Sequence, residues 1–225
     1  MHEGRRSLSV AVLRGAVYAM GGFYGGLHLS TAERYDCETD QWSLIAPMNT
    51  GREDASAAVL NNKIYVAGGR HDKNFLNSVE VYDTDIDQWT FVAPMLSGRG
   101  RFSCVEFLGC LYAVGGHNKT SDDLSTEKYD LAEDKWTEIP GMVVQSSCIK
   151  VEVIDDKIFV IGGSYNQGSA CVDDKEIRWY QAPEMKFDRY CPSTCVIKNL
   201  PNASDYTYKL RDKLMKKKRK RRRRK

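Results

Sequence analysis

Three arginines, Arg5, Arg52 and Arg99, stand 47 residues apart, and they are the side chains of this 225-residue chain best suited to recognise a charged group. A guanidinium presents two parallel N–H donors that match the two oxygens of a carboxylate. Ser146 interrupts the series, and Arg189 resumes it in a frame shifted by four residues. Such a column fits two roles: it receives acidic groups of a partner, or it bonds loop carbonyls of its own fold. Acids keep the same step at Glu33, Glu80, Glu127 and Asp174. Recurrence in every repeat argues for repeated structure and against a unique acid–base pair. The histidines His2, His28, His71 and His117 have no metal-ligand spacing, and the chain contains no HExxH, GxSxG or phosphate-binding glycine loop. The expectation is therefore recognition without catalysis, cofactor or metal.

The elements that position these residues are repeats. Gly-Gly pairs occur at Gly21-Gly22, Gly68-Gly69, Gly115-Gly116 and Gly162-Gly163, each 47 residues after the last. Tyr18, Tyr65, Tyr112 and Phe159 keep step, as do Tyr35, Tyr82 and Tyr129, then Trp42, Trp89 and Trp136. Met48, Met95 and Met142 close each unit; one step back from Met48 lands on Met1, so the sequence reads as cut at the last position of a repeat. A fixed period of this size signals a stacked repeat fold. Within one period, residues 7–13 alternate, Arg14-Gly15 make a two-residue turn, and Ala16 to Met20 run up to the glycine pair. A polar loop, a third strand from Ala32 to Tyr35, a turn over Asp36 to Asp40, and a fourth strand from Trp42 to Ala46 complete the unit. Four short antiparallel strands per repeat predict the blade of a β-propeller. No segment of the repeats carries a helical period, which excludes a βαβ fold.

The fourth repeat departs from this frame. The expected tryptophan position holds Pro183, but a shift of four residues brings Trp179 into place, with Val172 replacing the tyrosine. The loop after Gly163 has therefore lost four residues. Beyond Arg189, residues 190–197 read as the first strand of another blade, of the kind that closes a ring by completing a blade begun at the N-terminus.

The segments YAMGG, AERYD, QWSLIAPM, VEVYD and IYVAGG resemble kelch repeats, in particular those of the BTB–kelch family. The resemblance covers residues 1–201. It implies an all-β kelch propeller of four repeats (5–48, 52–95, 99–142 and 146–185) plus the closing strand, part of a six-bladed ring, followed by a disordered tail at 202–225. It also implies a protein-interaction module in the manner of the substrate-recognition domain of a cullin-3 ubiquitin ligase adaptor. Cullin-3 itself would be reached through a BTB domain that these residues lack. A cytoskeletal or scaffold role, as in kelch proteins that bind actin, and a fragment without independent function are the alternatives. In the family the arginine column borders a shallow pocket, which here implies a partner-binding role for Arg5, Arg52, Arg99 and Arg189 toward an acidic or polar segment. The residues after each glycine pair, Phe23, Tyr24, Arg70, His71, His117, Asn118, Ser164 and Tyr165, complete the implied surface. They differ from blade to blade on a fixed frame, as a specificity surface does.

Charge divides the chain into two opposite objects. Residues 209–225 hold 13 of the 33 Lys and Arg against the single acid Asp212, a net of +12. The other 208 residues carry 20 basic and 29 acidic side chains, a net of −9. A run such as KKKRKRRRRK has nothing to bury and repels itself, so it predicts disorder. It reads as a nuclear localisation signal, as a nonspecific anchor for polyanions, or as an extension without function. Seven scattered cysteines without a CxxC pair predict reduced thiols and a cytoplasmic or, through the tail, nuclear protein. No apolar stretch is long enough to span a bilayer.

Overall fold

The computed structural model describes residues 1–120, 125–139, 148–154, 157–162, 170–173, 178–181 and 194. The chain divides into two compact units, Met1–Thr194 and Cys195–Lys225, and the second lies outside the described residues. So do Ser164, Tyr165, Arg189, the closing strand apart from Thr194, and the basic tail.

The first repeat forms β1 (Ser9–Leu13), β2 (Ala16–Met20), β3 (Phe23–Tyr24), β4 (Leu27–His28), β5 (Ala32–Asp36) and β6 (Gln41–Ile45). Strands β1, β2, β5 and β6 pair antiparallel in that order, while β3 and β4 make a small hairpin of their own. The sequence reading treats this hairpin as a polar loop. The second repeat repeats the plan with β7 (Ser56–Leu60), β8 (Lys63–Ala67), the hairpin β9 (Arg70–His71) and β10 (Asn74–Phe75), β11 (Val79–Asp83) and β12 (Gln88–Val92). The third sheet is β13 (Ser103–Phe107), β14 (Cys110–Val114), β15 (Thr126–Asp130) and β16 (Lys135–Ile139). The fourth is β17 (Lys150–Ile154), β18 (Lys157–Ile161), β19 (Ala170–Asp173) and β20 (Arg178–Gln181). These are four blades of a partial β-propeller, and the described residues contain no helix.

Local chemistry explains the turns. Arg14-Gly15, Asn61-Asn62 and Leu108-Gly109 all have positive φ at both central positions, the geometry of the tight hairpin turn that follows strand twist. Between the third and fourth strands of blade 1, the Asp36 carboxylate accepts the N–H groups of Glu38 and Thr39, and Asp40 accepts the Tyr35 hydroxyl. The register Tyr35↔Trp42, Tyr82↔Trp89 and Tyr129↔Trp136 recurs as Val172↔Trp179, so the shortened fourth repeat is paired in the shifted frame.

Apolar cores lie between blades. One joins Ala11, Leu13, Tyr18 and Met48 of the first repeat to Ile64, Val66, Tyr82 and Trp89 of the second. Another joins Tyr65, Val81 and Met95 to Phe102, Cys104, Tyr129 and Trp136 of the third, and another joins blades 3 and 4 through Phe107, Ile139, Ile158 and Trp179. Burial in the second core pushes the Cys104 thiol up to about 12, so it behaves as an apolar side chain at neutral pH. Each blade depends on its neighbours to cover both faces.

Candidate functional site

In blades 1 and 2 the linker entering the blade and the small hairpin lie on one face, tied by backbone bonds. Gly22 N–H donates to Arg52 O at 2.8 Å, Arg52 N–H to Leu29 O at 3.0 Å, and Leu29 N–H to Gly22 O at 2.9 Å. The hairpins also bridge to the linkers at Arg6↔Phe23, Glu53↔Arg70 and Gly100↔His117. The glycine pairs exist for this approach: a Cβ on Gly69, at φ +94°, would stand 2.6 Å from Glu53 O. A further ladder runs from blade to blade, with Asp54 N–H on Ser7 O, Arg101 N–H on Asp54 O and Cys148 N–H on Arg101 O, each 3.0 Å.

The arginine column takes the second of its two roles. Arg52 donates to Gly68 O at 2.8 Å, Ser78 O at 3.1 Å, Ser78 Oγ at 3.2 Å and Glu80 Oε1 at 2.6 Å. Arg5 does the same with Gly21 O, Thr31 O and Glu33, and Arg99 with Gly115 O, Ser125 O and Glu127. All three side chains are fully buried, so they do not form the rim that the family resemblance implies for them. The physical reason lies in the acid column, whose members are buried beside them and neutralise them. Each acid also caps the incoming linker: Glu80 accepts the N–H groups of Asn49 and Thr50, and Glu127 those of Leu96 and Ser97. Burial raises the Glu33 carboxyl, but the N–H of His2, the Arg5 fork and the N–H of Glu3 outweigh it and bring the group down to about 2. Desolvation lowers Arg52 and Arg99, and the neighbouring carboxylates work against it.

The residues after the glycine pairs are surface groups of varied chemistry. Tyr24 and Leu27 are exposed at the tip of the first hairpin, and Phe23 packs edge-on against His28 with centroids 5.1 Å apart. His28 meets His71 at 5.2 Å, and Phe75 meets His117 at 4.9 Å. Glu53 is buried, with Arg70 at 2.6 Å and His28 at 3.4 Å. Beside these, Asn74, Phe75, Gly98, Asn118, Lys119 and Thr120 line an open hollow of about 280 Å³. The structure therefore brings Phe23, Tyr24, Arg70, His71, His117 and Asn118 to one face with His28, Leu27, Glu53 and Phe75, which the sequence reading did not single out.

A further column was also missed. Ser7, Asp54, Arg101 and Cys148 all sit at positive φ, between 52° and 61°, on the blade-to-blade ladder. Non-glycine residues adopt this conformation at a cost, and four equivalent occurrences mark a built feature. Their common 47-residue step was the available signal. Arg101 Nε donates to Asp54 Oδ2 at 3.1 Å, linking two members across a joint. Among the described residues no three His, Cys, Asp or Glu side chains converge as metal ligands, and no helix is long and apolar enough to cross a membrane.

Repeated blades with a fixed frame and a variable loop face define a repeat propeller built for recognition. Kelch motifs match residues 4–49, 51–96 and 98–143, more than half of the chain, and the chain belongs to the kelch-repeat family. Kelch repeats are protein-interaction modules. A stretch of 50 residues is 48% identical to the influenza virus NS1A-binding protein homolog of Xenopus laevis, covering 22% of this chain and 8% of that protein. A stretch of 48 residues is 42% identical to kelch-like protein 35 of Mus musculus, covering 21% of this chain and 8% of that one. The similarity thus spans less than a tenth of either relative.

Proposed function

We propose that the loop face captures a segment of another protein, without chemistry of its own, as the substrate-recognition part of a ubiquitin ligase adaptor does. The observation that carries this reading is the contrast between an invariant buried frame (Arg52–Glu80 and Arg99–Glu127) and neighbouring surface residues that change in every blade. The likeness to kelch-like protein 35 supports the adaptor role, with cullin-3 reached through a BTB domain outside these residues. The partner segment would be polar or acidic toward Lys119 and apolar toward Tyr24 and Leu27. The basic tail adds nonspecific polyanion binding and nuclear entry to a protein that is otherwise cytoplasmic.

Peptide display against the full chain tests the face. A recurrent peptide motif is expected, whose binding falls at least about tenfold in a Tyr24→Ala, Leu27→Ala, His71→Ala triple variant that melts like the parent. Failure to select any motif, or binding indifferent to the triple change, defeats the reading. The tail is tested separately: deleting residues 209–225 should abolish heparin retention and its steep salt dependence while leaving peptide binding unchanged.

A further inference from the structure

His28 breaks a pattern that the first two blade joints otherwise share. One repeat further on, its position holds Phe75, and two positions beside it across the joint, Glu53 and Asp72, become Gly100 and Lys119. Both rings pack on the next blade: His28 lies 5.2 Å from His71, and Phe75 lies 4.9 Å from His117. Gly100 leaves room for the Phe75 ring, since a Cβ there would stand 3.1 Å from Phe75 Cε1. The chain thus sets an apolar ring where these two positions are neutral and cationic. It sets an imidazole where both are carboxylates.

That imidazole is buried between its carboxylates. The side chain is 8% exposed, with Nε2 at 3.4 Å from Glu53 Oε1 and Nδ1 at 3.7 Å from Asp72 Oδ1. Among the described residues Nε2 makes no hydrogen bond. A neutral imidazole has one N–H and one lone pair, so either tautomer turns a lone pair toward a carboxylate. Only the imidazolium donates on both sides. Glu53 is the stronger acceptor because its side chain is also 8% exposed, whereas Asp72 is 76% exposed and screened by water. Arg70, 2.6 Å from the same Glu53 oxygen, opposes a further positive charge, as does Arg6 over the Phe23 ring that packs against His28. His71 gives its Nδ1 proton to Gly51 O at 2.6 Å, which leaves Nε2 as its basic nitrogen, 3.9 Å from Asp72 Oδ2. His71 therefore competes for Asp72 and not for Glu53.

We infer that His28 is a proton-operated latch between blades 1 and 2. On taking up one proton it draws Glu53 and Asp72 to hydrogen-bonding distance. His28 ends β4, Glu53 lies in the linker entering blade 2, and Asp72 sits in the turn between β9 and β10, so one side chain ties three segments together. The folded chain then holds the proton more tightly than the unfolded chain does. The latch adds stability on the acid side of the histidine range and loses it as pH rises. It needs no partner, and so stands or falls apart from capture by the loop face.

Melting temperature against pH, measured for the full chain beside His28→Phe, tests it. Phenylalanine holds the same place in blade 2, so the variant should fold. Between about pH 8 and about pH 6 the parent should gain at least about 2 °C on the variant. Glu53→Gln combined with Asp72→Asn should erase that gain. His71→Asn, which borrows the residue at the equivalent place in blade 3, should keep it. Nitrogen NMR of the histidine-labelled chain gives an independent reading should Glu53→Gln not fold. At about pH 6 both His28 ring nitrogens should carry protons in the parent, and Asp72→Asn should reduce that fraction. Parallel curves for the parent and His28→Phe overturn the proposal, as does a His28 ring still neutral at about pH 6. So does a gain that survives loss of both carboxylates, or one that vanishes with His71→Asn.

Discussion

Replacing Arg52 with alanine separates a frame arginine from a binding arginine. The side chain is fully buried and makes four hydrogen bonds, two of them to the backbone carbonyls of Gly68 and Ser78, which have no other role for water to fill. Its loss strands the Gly68 carbonyl, leaves Ser78 O with only the Gly68 N–H, and makes Glu80 an unpaired buried charge, held only by Asn49 and Thr50. Removing one partner of a buried ion pair costs about 3–5 kcal/mol. For a domain of this size that lowers the melting temperature by roughly 6–20 °C. Arg52→Lys keeps the charge but not the fork, and should fall between parent and alanine variant. Exchanging both Arg52 and Glu80 for apolar residues should not restore stability, because Glu80 also caps two linker amides. Calorimetry and urea titration read all four proteins. If Arg52→Ala melted within about 2 °C of the parent yet lost partner binding, the arginine would be a recognition residue and the reasoning given for its burial would fail.

Gly69→Ala should cost more than about 2 kcal/mol, since its Cβ meets Glu53 O at 2.6 Å, whereas Gly15→Ala, with open space around it, should cost only about 1 kcal/mol in urea titration. Equal midpoints for the two variants would contradict the close-approach argument. The folded Glu33 carboxyl lies at about 2 against an ordinary 4.5, so its stabilisation is complete above about pH 5 and is lost as pH falls toward 2. Glu33→Gln should flatten the acid limb of melting temperature against pH, and an unchanged limb would count against it. Trp89→Phe, which loses the bond to Ala46 O, should cost about 1–3 kcal/mol. Trp42→Phe, at a partly exposed indole without such a bond, should cost less than about 0.5 kcal/mol, and comparable losses at both sites would contradict the role given to the Ala46 bond.

The blades were legible because period and turn chemistry agree: glycine pairs, paired tyrosines and tryptophans, and turns of Gly, Asn and Asp all recur in register. Even the four-residue contraction in the fourth repeat was readable, from Trp179 with Asp173, Met185 and Arg189 in step around it. The small hairpins were not, because two-residue strands at Phe23–Tyr24 and Leu27–His28 are too short to show alternation, and their flanks are fixed by bonds to linkers distant in sequence, such as Gly22 N–H to Arg52 O. The arginine column was found but its destination was not. Spacing shows that Arg52 and Glu80 recur together, yet only folding shows that 28 residues of separation place them in contact at 2.6 Å. Likewise nothing in the types Ser7, Asp54 and Arg101 announces a shared backbone conformation; that is a property of the position.

The blade-to-blade ladder through Ser7, Asp54, Arg101 and Cys148 uses only main-chain atoms. Its members can therefore change identity without breaking the bond that holds them, and the first three blades each present one such residue at a fixed step, while Cys148 is buried. A segment lying across it would be read one blade at a time, like letters on a combination lock whose wheels share an axle. New specificity then requires an exchange at a single wheel, or the transplant of a whole repeat, while the buried Arg–Glu axle is left alone.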